Sequence, residues 1–168
     1  LDDIENIVTM DIKKEGSALY LIGETKDEMG GSHYNELLGA GLDEGNVPVV
    51  DTAKSIKVFA ATEEAINKKM ITACHDISEG GMAVALAEMC FAGGIGAEVS
   101  VGGAEEVALF SESQTRFIAE VPAGKETEFE AIMRENGSAH CKLGKTNGRK
   151  LAIYGGGGRI IDVEISDL

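Results

Sequence analysis

Ile71-Thr72-Ala73-Cys74-His75-Asp76-Ile77-Ser78-Glu79-Gly80-Gly81-Met82 passes from a short apolar run, through a turn ending in two glycines, into a helical pattern. Ile71 to Cys74 reads as a strand and His75 to Gly81 as the turn. Met82 to Phe91 reads as a helix, with Met82, Leu86 and Met89 at core-facing spacing. Strand, glycine turn and helix in that order are the joint of a sheet with helices laid on it.

Upstream, Ile7 to Ile12 is β-compatible, Lys13 to Gly16 is a turn and Ala18 to Ile22 is an apolar strand, together a hairpin expectation. Ser32 is placed to cap a short helix through Leu38, and Gly39 to Pro48 reads as a loop. Pro48 then opens a helical stretch from Val49 to about Lys69, with Ala53, Ile56, Ala60, Ile66 and Met70 as its buried face. Thr62, followed by Glu63 and Glu64, is placed to cap a second helix inside that stretch.

Downstream, Ala97 to Val101 reads as a strand and Ala104 to Phe110 as a helical turn. Arg116 to Val121 alternates as a strand does, and Lys125 to Glu135 is a helix stopped by Asn136-Gly137. Ala139 to Leu143, Leu151 to Tyr154 and Ile160 to Ile165 are strands, with Gly155 to Gly158 as a hairpin turn between the last two. Helices interleave with strands, but hairpins stand at both ends. The expected class is therefore α+β, a mixed and largely antiparallel sheet with packed helices, rather than a doubly wound parallel sheet.

Length and composition set outer limits. The 168 residues suit one domain, expected to span residues 1–168 with 1–7 as an acidic linker, and 43% hydrophobic content can build a core. The formal charge of −14 repels nucleic-acid phosphates, so no nucleic acid is expected as a partner. No apolar run reaches the length of a membrane span and no secretory leader pattern is present, so no membrane association is expected. Cys74, Cys90 and Cys141 are widely spaced and form no CxxC pair, which points to buried, reduced thiols and a cytoplasmic location. Leu1 in place of an initiator methionine points to a piece of a longer chain.

Two segments carry candidate chemistry. In the first, Ser78, Glu79, Gly80 and Gly81 enter a helix, where free N–H groups and the helix dipole can hold a phosphate, and Asp76 can offer oxygen to magnesium. The plainer reading is a cap, with Ser78 or Asp76 satisfying the helix start. In the second, Ser111, Glu112, Ser113, Gln114 and Arg116 crowd the loop Phe110 to Phe117, where Gln114 and Arg116 can bond an amide or a phosphate. The residues alone favour a surface loop with Arg116 paired to Glu112, an interaction of little worth. His33, beside Gly30-Gly31, has no identifiable partner for acid–base work, and neither His75 nor His140 stands out. The run Gly155 to Gly158 lacks the Lys-Ser/Thr of a P-loop.

The wording of these segments resembles the phosphoribosylformylglycinamidine synthase family, large or "synthase II" subunit. The matching stretches are Leu19 to Gly23, Glu28 to Tyr34, Val47 to Asp51, His75 to Glu88 and Leu109 to Phe117, in the family's order from about Val8 to the C-terminus. The superfamily also holds aminoimidazole ribonucleotide synthetase, selenophosphate synthetase, thiamine-monophosphate kinase and a hydrogenase maturation protein. The HDISEGG and FSESQTRF wordings point to the glycinamidine enzyme.

The resemblance implies an aminoimidazole ribonucleotide synthetase C-terminal-domain fold. It also implies that the chain is the C-terminal domain of the second of two copies in a longer synthase. The parent reaction it implies is a glutamine-dependent carbon–nitrogen ligation. ATP phosphorylates the amide oxygen of formylglycinamide ribonucleotide, and ammonia displaces the phosphate to give the amidine. ATP and magnesium are the implied cofactors of the parent, with neither expected to bind the isolated domain tightly. The implied partners are the remaining synthase domains, a glutaminase subunit and a small accessory subunit. The principal nucleotide ligands and the catalytic histidine lie in domains this sequence lacks, so no catalytic residue carries over. By position, Asp76 matches a magnesium-associated aspartate of the first copy, and Ser111 to Gln114 match its substrate loop. Against this stands a stand-alone phosphate-binding or structural module of the same superfamily, of the selenophosphate synthetase or hydrogenase maturation type.

Overall fold

A computed structural model describes residues 4–39 and 45–168. Residues 1–3 of the expected linker and 40–44 of the expected loop lie outside the described residues. Ile4–Asn6 form a 3-10 turn.

Seven strands form one sheet: β1 (Ala18–Ile22), β2 (Ala73–Asp76), β3 (Ala97–Ser100), β4 (Phe117–Val121), β5 (His140–Thr146), β6 (Lys150–Gly155) and β7 (Gly158–Glu164). Their order is β2-β4-β1-β5-β3-β6-β7. The β3–β6 pair is parallel and the other pairs are antiparallel, so the sheet is mixed and largely antiparallel as expected.

The five helices among the described residues are α1 (His33–Leu37), α2 (Thr52–Asn67), α3 (Gly81–Gly93), α4 (Glu105–Phe110) and α5 (Glu126–Glu135). Helix α3 packs on one face of the sheet, where Met82, Leu86 and Met89 meet Leu19, Ile118 and Leu151. Helices α2 and α5 pack on the other, where Val58, Ala61, Phe129 and Met133 meet Tyr20 and Val121. The interior strand β1 is buried on both faces, which is why Ala18 to Ile22 is an unbroken apolar run instead of an alternating one.

The hairpin expected between Ile7 to Ile12 and β1 does not form. β1 pairs with β4 and β5, and the earlier segment runs beside β2, touching it through a parallel Thr9–Ala73 bridge. Its amides find distant partners instead. Ile12 N–H donates to the Met89 carbonyl, and the Lys13 and Lys14 N–H groups donate to the two oxygens of Glu120, which is fully buried. Satisfying backbone donors this way removes the need for a second strand.

Helix α2 also differs from expectation. It begins at Thr52, capped by Asp51, whose carboxylate accepts the Lys54 N–H at 3.1 Å, and Pro48 lies outside it. Its buried face is Ser55, Val58, Ala61, Thr62 and Ala65, while Ile56 is 69% and Phe59 53% exposed. Thr62 caps nothing; its hydroxyl donates to the Val58 carbonyl one turn back in a continuous helix. Of the cysteines, Cys90 is buried, Cys74 partly buried and Cys141 exposed, which corrects the expectation of three buried thiols. Burial pushes both the Cys74 and Cys90 thiols up to about 12, so neither is a thiolate at neutral pH.

Candidate functional site

The two candidate segments meet. The end of β2 and the turn after it form one wall of a cleft of about 350 Å³, through Asp76, Ser78 and Glu79. The loop before β4 forms the other, through Glu112, Gln114 and Arg116, and Phe59 and Phe117 close one side with ring centroids 6.1 Å apart. The β2–β4 pairing brings them together, since Asp76 sits opposite Phe117 in the ladder.

Helix α3 starts without a side-chain cap of its own. Gly80 and Gly81 both have positive φ, at 76° and 70°, and a Cβ on Gly81 would lie 2.6 Å from the Leu109 carbonyl oxygen. Only glycine fits that approach of the turn to α4. Neither Ser78 nor Asp76 caps the helix, contrary to the plainer reading. Ser78 Oγ donates to Asp76 Oδ2 at 2.5 Å, and Asp76 Oδ1 faces His75 Nδ1 at 3.3 Å. His75 lies in β2, not in the turn, and its Nε2 meets Glu88 of α3 at 2.9 Å. The Ser78 hydroxyl is the first cause that holds the Asp76 carboxyl below the usual carboxylate range.

The anionic partner of this helix start is Glu112. Its Oε1 accepts the Gly80 N–H at 2.9 Å and the His33 N–H at 3.0 Å, tying the α3 turn, the α1 start and the loop before β4 to one carboxylate. A carboxylate at a helix N-terminus satisfies an open donor and the helix dipole together. Glu112 is therefore not the partner of Arg116 in a surface pair.

Arg116 is 1% exposed. Its Nε donates to the Ser113 carbonyl at 2.9 Å, Nη1 to Thr25 Oγ1 at 2.8 Å and Nη2 to the Ser111 carbonyl. Burial lowers the guanidinium pKa to about 10, which leaves it charged at neutral pH. Ser111 and Ser113 also face inward. Ser111 Oγ donates to the Lys26 carbonyl at 2.8 Å, and Ser113 Oγ accepts the Lys26 N–H at 3.1 Å. Of the five loop candidates, Glu112 and Gln114 face the cleft, Arg116 forms its floor, and Ser111 and Ser113 hold the loop in shape.

The cleft is lined by three carboxylates, Asp76, Glu79 and Glu112, against the single cation Arg116. No group of three or more His, Cys, Asp or Glu among the described residues can hold a metal. Asp76 has one oxygen on the Ser78 hydroxyl and the other facing His75, and a nucleotide phosphate at Gly80 would have to displace Glu112. No described helix is long and apolar enough to cross a membrane.

Phe59, Phe117 and Thr115 are site residues that sequence reasoning passed over. The first is not among the positions expected on the buried face of α2. Thr115 has φ +58°, a conformation for which a β-branched residue carries no sequence signal.

Comparison with known proteins gives the family. The chain is 36% identical over 170 residues to the phosphoribosylformylglycinamidine synthase subunit PurL of Thermoanaerobacter pseudethanolicus, covering 100% of this chain and 23% of that protein. It is 39% identical over 163 residues to the PurL subunit of Parvibaculum lavamentivorans, covering 93% of this chain and 22% of that protein. The chain thus spans less than a quarter of the length of these relatives. In fold it resembles Thermotoga maritima PurL complexed with FGAR, at TM-score 0.83 and 16% identity over 97% of this chain and 29% of that one. It resembles the hydrogenase maturation protein HypE in complex with ATP less closely, at TM-score 0.65 and 16% identity over 96% of this chain and 55% of that one. The family model described as AIR synthase related protein, C-terminal domain, matches residues 14–155, and the chain belongs to that family.

Proposed function

We propose that the chain is the second-copy C-terminal domain of a cytoplasmic phosphoribosylformylglycinamidine synthase. There it serves the ATP-dependent conversion of formylglycinamide ribonucleotide to the amidine as a scaffold half, inactive alone. The observation that carries this reading is the cleft itself. The HDISEGG and FSESQTRF segments, which are the wording of that family, build one open cleft between them, and its helix-start donor is already held by Glu112. A self-sufficient nucleotide site would present a surplus of cations; this cleft sets three carboxylates against Arg116.

The surface supports a domain that works against a larger body. Ile56 and Phe59 on α2 stand exposed, with Val49 at 65% and Val50 at 55% just ahead of the helix. Apolar side chains gathered in one region mark a contact surface, and the relatives have more than three quarters of their length outside the matched part to supply the covering. In this reading the remaining synthase domains bring the principal ATP and magnesium ligands, and a glutaminase and a small accessory subunit bring ammonia.

Two measurements test it. Calorimetric titration of the 168-residue chain with magnesium–ADP, then with formylglycinamide ribonucleotide, gives no binding heat at micromolar concentrations. Saturable binding lost in Asp76→Ala would replace the scaffold reading with a self-sufficient module. The full-length parent lacking the segment equivalent to residues 14–155 makes no amidine from ATP, ammonia and formylglycinamide ribonucleotide; retained turnover would sink the ligase reading.

A further inference from the structure

The segment from Lys26 to Gly30 runs between two others that are distant from it in sequence. On one side lies the approach to α2. Gly30 N–H donates to the Asn46 carbonyl at 2.9 Å, Asn46 Nδ2 donates to the Asp27 carbonyl at 3.1 Å, and a Cβ on Gly30 would lie 2.7 Å from the Gly45 carbonyl oxygen. On the other side lies the loop before β4. Lys26 N–H donates to Ser113 Oγ at 3.1 Å, and Ser111 Oγ donates to the Lys26 carbonyl at 2.8 Å. Residues 26–30 form no helix or strand, so these bonds to two neighbours set where the segment lies.

Glu28 is the charged side chain buried in this layer, at 6% exposure. Its Oε1 accepts the Val49 N–H at 3.2 Å, and Lys26 Nζ stands 3.6 Å from the same oxygen. Its Oε2 is buried and has no hydrogen-bond partner among the described residues. A buried carboxylate oxygen without a donor is costly unless cations nearby balance its charge. Two do so here: Lys26 on the same segment, and Arg116 at the end of the loop before β4, whose own charge Glu28 supports. Burial works against the charge on Glu28, but the Ser113 hydroxyl, the Val49 N–H and Lys26 outweigh it and hold the carboxyl below the usual carboxylate range.

The two sides that Glu28 joins differ in character. Val47, Val49 and Val50 are all more than half exposed and belong to the apolar surface ahead of α2. The loop before β4 carries Glu112, which holds the Gly80 and His33 N–H groups at the wall of the cleft. A continuous path therefore leads from the Val49 amide through the Glu28 carboxylate, Lys26 and Ser113 to Glu112 and Gly80. Contiguous bonded contact of this kind is what carries a displacement from one surface to another.

We propose that Glu28 is a positioning residue: through it the contact surface ahead of α2 sets the position of the loop before β4, so that a body seated on Val47 to Val50 also fixes the cleft wall held by Glu112. The identity of that body rests on the reading in which the remaining synthase domains cover the surface. The coupling itself is a property of this chain and is measured without them.

The test is amide hydrogen exchange and ¹H–¹⁵N NMR on the 168-residue chain and its variants Glu28→Ala, Glu28→Gln and Ser113→Ala. Glu28→Ala is expected to speed exchange about tenfold or more at Val49, and also at Lys26 and Gly80, whose amides Glu28 does not bond, while buried Ile118 in β4 keeps its wild-type rate. Glu28→Gln restores protection at Val49, because its amide oxygen accepts the same N–H. Ser113→Ala shifts the Val49 amide resonance, although Ser113 does not bond Val49. Exchange that rises at Val49 alone overturns the coupling. A rise by the same factor at Ile118 reveals a loss of stability only and overturns it too. Glu28→Gln behaving as Glu28→Ala overturns the part given to the Val49 bond, and an unmoved Val49 resonance in Ser113→Ala overturns the path through the loop. None of these outcomes bears on whether the parent is a ligase, which amidine turnover by the parent decides.

Discussion

Replacing Arg116 with methionine separates the two accounts of this residue by magnitude. Methionine keeps the unbranched apolar stem of the side chain but not its planar end, so the packing of the stem is kept and the hydrogen bonds are what is lost. In the structure the guanidinium satisfies the buried carbonyls of Ser111 and Ser113 and the Thr25 hydroxyl. The hydroxyl can turn to other partners, but the two carbonyls cannot, and an unsatisfied buried acceptor costs about 1–3 kcal/mol. Removing a buried charge returns part of that loss, because the desolvation of the guanidinium is no longer needed. The net expectation is about 3 kcal/mol of lost stability. For a chain of this size each kcal/mol moves Tm by about 2–4 °C, so Tm falls by about 6–12 °C. A surface pair with Glu112 would have been worth at most about 1 kcal/mol. Urea denaturation at matched m-value measures the difference, and amide exchange at Lys26, whose N–H bonds Ser113 Oγ, accelerates in parallel. Arg116→Lys recovers less than half, since an ammonium cannot reach three divergent acceptors. A loss under 1 kcal/mol in Arg116→Met with unchanged m would refute the account of Arg116 as the loop's anchor.

Gly81→Ala is expected to cost about 3 kcal/mol in chemical denaturation, combining the positive φ with a Cβ driven into the Leu109 carbonyl; a neutral result would show that the turn can move away from α4. Glu112→Ala should raise amide exchange at Gly80 and His33 together at a cost of about 1 kcal/mol, and exchange rising at one of them alone would show that the shared carboxylate does not couple the two turns. On α2, Val58→Ala should cost about 1–3 kcal/mol while Ile56→Ala stays within about 0.5 kcal/mol, and the reverse order would restore the face expected from the sequence. Asp76 has a folded pKa below its unfolded value, so its contribution is present above the ordinary carboxylate range and fades as pH falls through the folded pKa; Ser78→Ala should raise the Asp76 pKa measured by carboxyl ¹³C NMR, and an unmoved titration would remove Ser78 as the cause.

Much of the architecture was legible because local chemistry determined it. Ser32 caps α1, Gly137 takes φ +64° after α5, and the glycine run ends β6 and turns into β7, each where its residue type demanded. What was not legible depended on partners far along the chain. Ile7 to Ile12 has the composition of a strand, yet its neighbours are Glu120 and Met89, which no local pattern reveals. Helix α2 carries Ile56 on a face that periodicity assigns to the core, yet it is exposed, because apolar spacing cannot tell burial inside a domain from burial against another body. The candidate segments were the right ones and the roles within them were mixed. Nothing in the string SESQTR says that its two serines turn inward while Glu112 turns to a helix start.

The strand order has a consequence for how the chain is made. β1 lies between β4 and β5, so the apolar stretch Ala18–Ile22 leaves the ribosome about a hundred residues before either neighbour exists. Until Phe117–Val121 emerges, both edges of that stretch are open, although α2 and α3, which cover part of its faces, precede it in the chain. A nascent chain stalled between these points would present the stickiest segment of the molecule to chaperones and to other chains alike. Of the seven strands, β6 and β7 pair as a local hairpin, and that hairpin comes last. Co-translational folding of this domain is therefore held back to a late, concerted closure of the sheet and cannot proceed by steady accretion from the N-terminus.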